Sequence, residues 1–119
     1  MTESAYHLFA KGSRFLATGH PHQAAIVLGR AAAAEPDKGS IREALGRALY
    51  MTGRWGQARL QFAKAVEIDP VNHYAHFGLG LSCARTGERS RAIAHLKLAV
   101  AMEPRDEYRE ALDQLTEPE

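Results

Sequence analysis

The stretch ALGRALYMTGRWGQA, residues 44–58, decides the fold. Ala44, Leu45, Ala48 and Leu49 fall at spacings of one, three and four, the rhythm of a helix face. Gly46 stands inside that helix, where glycine costs about 1 kcal/mol relative to alanine. Thr52-Gly53 then breaks the pattern, glycine being suited to the left-handed conformation that follows a helix end. A second stripe through Ala58, Phe62, Ala65 and Val66 runs on to Asp69-Pro70. Proline biases the residue before it away from helix, so the pair acts as a stop. The stretch reads as one helix ending, a tight turn, and another helix beginning.

Working outward, the same features recur every 34 residues. Gly12, Gly46 and Gly80 share that spacing, as do Thr18-Gly19, Thr52-Gly53 and Thr86-Gly87. Ala24, Ala58 and Ala92 follow it, then Ala31, Ala65 and Ala99, and finally Pro36, Pro70 and Pro104. Each of these prolines follows an acidic residue, Glu35, Asp69 or Glu103. A shared period of this length marks stacked helical repeats. Helices are expected near 4–17, 21–34, 38–51, 55–68, 72–85, 89–102 and 106–116, with Asn72 and Asp106 as N-caps. The repeated glycines would lie where the first helix of a unit crosses the second, facing Ala24, Ala58 and Ala92. Close approach of the two backbones gains dispersion contact that offsets the propensity cost.

These residues resemble the tetratricopeptide repeat family. The match is carried by Leu-Gly at 45–46 and 79–80, the alanines at 24, 58 and 92, and the large apolar Leu28, Phe62 and Leu96. Ala31, Ala65, Ala99 and the three prolines complete it. The resemblance implies an all-α, right-handed α-solenoid of three helix-turn-helix units, about 3–36, 37–70 and 71–104. A capping helix near 106–116 would make seven helices, with residues 1–119 forming a single domain. Some positions depart from the family pattern. Leu8, Arg42 and His76 stand where a bulky residue is usual early in the first helix, and Lys11 replaces the leucine before Gly12. Phe15, Leu49 and Cys83 occupy the large position one turn after the glycine.

Composition narrows the function. The chain is 45% hydrophobic and 24% charged with a net charge of +1, enough to bury a core and too balanced for a nucleic-acid or polybasic membrane surface. One cysteine, Cys83, excludes an internal disulfide. No leader pattern or membrane-length apolar run is present, so the sequence reads as cytoplasmic. Eleven Arg against four Lys, with twenty-one Ala, suggest a GC-rich bacterial genome.

The resemblance further implies a concave groove lined by the first helices. Its lining is expected from Tyr6, Phe9 and Ser13 in the first unit, Glu43, Arg47 and Tyr50 in the second, and Tyr74, Phe77, Gly78, Leu81 and Arg85 in the third. Ala10, Leu16, Ala44 and Met51 would complete the face, with partial burial in the core as the alternative for several of these residues. Exposed aromatic surface of this kind suits a peptide segment or helix of a partner protein. Gly78 would leave a dimple for the ligand beside Tyr74 and Phe77, and Arg47 or Arg85 would meet an acidic group. Arg47 lies one turn from Glu43, so an internal pair competes for it. Relatives that hold the acidic tails of heat-shock chaperones use a clamp of lysines, asparagines and an arginine. The matching positions here are Phe9, Ser13, Ala44, Tyr74 and Gly78, none of which hydrogen-bonds a terminal carboxylate strongly.

No catalytic or metal-binding constellation emerges. His20-Pro21-His22 and the His73/His76 pair lack a third ligand, and the histidines read as helix ends and a bulky filler at 76. Gly78-Leu-Gly80 is followed by Cys83 where a dinucleotide fingerprint needs glycine. Glu107, Glu110 and Asp113 form a solvated face, Cys83 reads as a core thiol, and Trp55 as a helix-start staple. The chain therefore reads as a non-catalytic interaction module without cofactor. The last helix poses one question: its stripe of Tyr108, Ala111, Leu112 and Leu115 falls on groove-type positions in strict register. Either the helix rotates to lay the stripe on the preceding unit, or the stripe serves self-association as a homo-oligomeric scaffold.

Overall fold

The computed structural model describes residues 3–118 as seven helices and no strand among the described residues. They are α1 (Ala5–Ala17), α2 (Pro21–Ala34), α3 (Gly39–Met51), α4 (Trp55–Ile68), α5 (His73–Arg85), α6 (Arg89–Met102) and α7 (Asp106–Thr116). Each packs on the next, and α1, α3 and α5 also touch one another in line. The stack is a rod of 55 × 24 × 22 Å, as expected when repeats add along one axis.

Local chemistry sets the boundaries. Gly19, Gly53 and Gly87 adopt φ of +78°, +79° and +82°, which residues with a Cβ resist, so the Thr-Gly pairs turn the chain within each unit. Asn72 caps α5 by accepting from the Ala75 amide at 3.0 Å. The cap expected of Asp106 is not made, because Asp106 is itself the first helical residue and Arg105 precedes it. There its charge favours the positive end of the helix dipole instead. Ser4, not anticipated, caps α1 through the His7 amide.

The repeated glycines do mark the crossings, but the group facing them differs from expectation. A Cβ on Gly12 would lie 2.4 Å from Leu28, one on Gly46 3.1 Å from the Phe62 ring, and one on Gly80 2.8 Å from Leu96. The large residue of the second helix fills the space, while Ala24, Ala58 and Ala92 are wholly buried one turn earlier. One core runs from Leu8 through the first two units to Cys83 and Ala92. A second cluster of Phe77, Leu96, Ala99 and Tyr108 lies under α7.

The capping stripe is laid on the preceding unit. Tyr108 is fully buried, and Ala111, Leu112 and Leu115 pack half-buried against the same cluster. Arg89 of α6 donates to the Leu115 carbonyl, tying down the end of α7.

Candidate peptide-binding groove

Two adjoining hollows run along the face made by α1, α3 and α5. The larger, about 500 Å³, is lined by Phe9 and Ser13 of α1, Glu43, Ala44 and Arg47 of α3, and Asn72, His73 and Tyr74 at the start of α5. The smaller, about 170 Å³, has Arg47, Tyr50 and Met51 on one side and Tyr74 and Leu81 on the other, with Phe62, Phe77 and Gly78 beneath. Arg47 and Tyr74 belong to both and divide them. Tyr6, 74% exposed, stands at the open end beside a further hollow that it shares with Phe9, Lys38 and Ile41.

Three of the expected lining residues lie largely in the core, Leu16 among them at 7% exposure. Phe77 is only 8% exposed because its ring stacks on Tyr108 at 4.5 Å. Gly78 leaves no dimple for a ligand, since a Cβ there would lie 2.4 Å from the Phe62 ring. Phe62 thus sits in a slot between Gly46 and Gly78, on two successive first helices. Tyr74 remains partly open, edge-on to Phe77 at 6.0 Å.

The charges are arranged unevenly. Glu43 is half-buried, and burial pushes its carboxyl above the usual range against the smaller opposing pull of the Asn72 amide, Arg47 and His73. No ion pair joins Glu43 to Arg47 among the described residues, so Arg47 is exposed and unspent at the dividing wall. Arg85 is already engaged. Its guanidinium lies 4.8 Å from the Trp55 ring centroid, and its Nε donates to the Tyr50 hydroxyl at 3.2 Å. Trp55 is therefore a platform for that cation as well as the opening residue of α4.

His73 and His76 are each engaged with different partners. His73 Nδ1 lies 2.8 Å from the Tyr108 hydroxyl, and His76 faces the opposite way toward His95 and the Pro70 carbonyl. Among the described residues no three His, Cys, Asp or Glu side chains converge as a metal site. Burial pushes the Cys83 thiol up, which keeps it protonated and unreactive. Among the described residues no helix is long and apolar enough to cross a membrane.

Comparison with known proteins agrees with this architecture. No curated protein sequence matches the chain. Among solved structures, the first tetratricopeptide domain of Spaghetti (RPAP3), bound to the HSP90 peptide SRMEEVD, superposes with a TM-score of 0.90 at 17% identity, over 95% of this chain and 90% of that one. The Arabidopsis OM64 tetratricopeptide domain also gives 0.90, at 18% identity, over 94% and 93%. YrrB, described as having an unusual peptide-binding site, gives 0.82 at 25% identity, over 95% of this chain and 57% of that one. The tetratricopeptide repeat model matches residues 9–73 and again 63–107. Period, helix pairs, crossing glycines and family model coincide over most of the sequence, and the chain belongs to the tetratricopeptide repeat family.

Proposed function

We propose that this domain is a non-catalytic interaction module that holds a segment of another protein along its concave face. The observation that carries this reading is the pair of hollows joined at Arg47 and Tyr74, walled by three successive first helices. Phe9, Tyr50, Tyr74 and Leu81 would anchor apolar side chains of the segment, with Tyr6 extending the track at the open end. Ser13 and the backbone-capping Asn72 supply hydrogen-bonding groups, and the unspent Arg47 would set register against an acidic residue. Arg85 contributes by holding Tyr50 in place.

The segment would differ from the acidic peptide seen on the Spaghetti domain. Phe9, Ser13, Ala44, Tyr74 and Gly78 stand at the carboxylate-clamp positions and bring no cation to a terminal carboxylate. Self-association through the capping helix is the weaker reading, because Tyr108 is consumed inside the chain. Mass measured over a concentration series separates the two.

The test is a pull-down from native extract with wild type beside Phe9→Ser/Arg47→Glu, Phe9 lying half-buried at the edge of the core and Arg47 exposed. Wild type should retain discrete proteins that the variant loses while keeping full helical content. Identical captures on both baits would move the site off the concave face.

A further inference from the structure

One bridge is built three ways along the rod. Leu8, Arg42 and His76 share one repeat position, and Val27, Gln61 and His95 share another. In the first unit both residues are apolar and buried. In the second, Arg42 Nε donates to the Pro36 carbonyl at 3.0 Å and Nη1 donates to Gln61 Oε1 at 2.9 Å. In the third, His76 Nε2 lies 2.8 Å from the Pro70 carbonyl and Nδ1 lies 3.1 Å from His95 Nδ1. The two rings meet edge to edge through these nitrogens, with centroids 5.3 Å apart and planes 25° apart. Pro36 and Pro70 are themselves one period apart, so each polar bridge ties the preceding turn, the first helix and the second helix together.

The third version is limited in the protons it can hold. A carbonyl only accepts, so His76 Nε2 must carry a hydrogen. In neutral His76 the Nδ1 is then bare, and His95 Nδ1 donates to it. A further proton fits on His95 Nε2 with that bond intact. Another on His76 would set N–H against N–H at 3.1 Å, around a ring only 4% exposed. The same two imidazoles in the unfolded chain accept two protons.

We propose that the hydrogen-bonded His76–His95 pair is an acid-sensitive clasp, holding α5 to α6 while it carries at most one proton and releasing them when the second arrives. The groups around the pair favour this limit. Burial, His76 and Arg91 one turn back on α6 all push His95 below the usual histidine range. The α4–α5 connection presents the uncharged Pro70 carbonyl, and no carboxylate of α3, α4, α5, α6 or α7 forms an ion pair with either ring among the described residues. Helix α5 also carries Tyr74 and Leu81, so release loosens the far wall of the concave face.

The sign follows from linkage. Unfolded histidine titrates near pH ~6.5. The folded pair binds fewer protons than the unfolded one below that point, so its stability is whole above it and falls with acid. For each proton taken up only by the unfolded chain, the unfolding constant rises about tenfold per pH unit.

The experiment grafts the second unit's bridge onto the third, as His76→Arg/His95→Gln, and the first unit's as His76→Leu/His95→Val. Urea unfolding from pH 8 to 5 should show parallel curves above pH ~6.5 and, below it, wild type losing stability more steeply than either graft, by up to about tenfold in unfolding constant per pH unit. Parallel curves below that pH would overturn the clasp. Should neither graft fold, imidazole NMR of wild type decides. At most one of the two rings should titrate while the native amide spectrum persists, and full titration of both near neutrality with that spectrum intact would overturn it.

Discussion

The two ends of the rod carry the same aromatic pair and treat it in opposite ways. Tyr6 and Phe9 at the start of α1 match Tyr74 and Phe77 at the start of α5, two periods on. Phe9 is half-exposed and lines the groove, whereas Phe77 is 8% exposed and part of the core. The difference lies in the next first helix. One period beyond Tyr6 stands Ser40, too small to cover Phe9, while one period beyond Tyr74 stands Tyr108, whose ring stacks on Phe77. In a solenoid a residue's exposure is thus set by its neighbour one repeat later as much as by its own helix.

Removing the covering ring should break the contrast most. Tyr108→Ala deletes a wholly buried side chain, its stacking on Phe77 and its hydrogen bond to His73. A loss of about 3–5 kcal/mol in urea unfolding is expected. A smaller effect should come from Gly78, whose counterpart in the first unit is Ala10. Alanine at 78 gains helix propensity but drives a methyl into the Phe62 ring, which is pinned by Gly46 on its other side. Gly78→Ala should cost about 1–2 kcal/mol net, read in the same unfolding assay. The smallest change belongs to the open end: Tyr6→Ala, at a position 74% exposed, should shift stability by less than about 0.5 kcal/mol. A large loss there would mean that the N-terminal pair is held by more than its own unit.

The same contrast explains what could be read before the structure. The repeat, the turns and the helix pairs were legible because they depend on contacts within one period, such as Gly46 against Phe62. The capping helix was legible as a stripe, but its rotation depends on a match between Tyr108 and Phe77 across 31 residues, which no local pattern encodes. The groove suffered for the same reason. Phe77 and Gly78 sit in correct register for the concave face, yet one is covered from α7 and the other filled from α4. Arg85 shows a further limit: its engagement with Trp55 and Tyr50 joins three helices, and only their assembly brings those side chains together. The His76–His95 bridge was not legible: His76 read as a bulky filler, and the Arg42–Gln61 bridge one period earlier shows itself only in the packed helices.

The buried thiol of Cys83 gives this rod an internal clock. It is the sole cysteine in the chain, wholly enclosed, and kept protonated by its surroundings. A thiol reagent therefore reaches it only in molecules whose core around α5 has opened, and where labelling outpaces reclosing the half-life counts those openings. No other side chain answers the reagent, so the chain reports on openings of that shared core without any foreign probe.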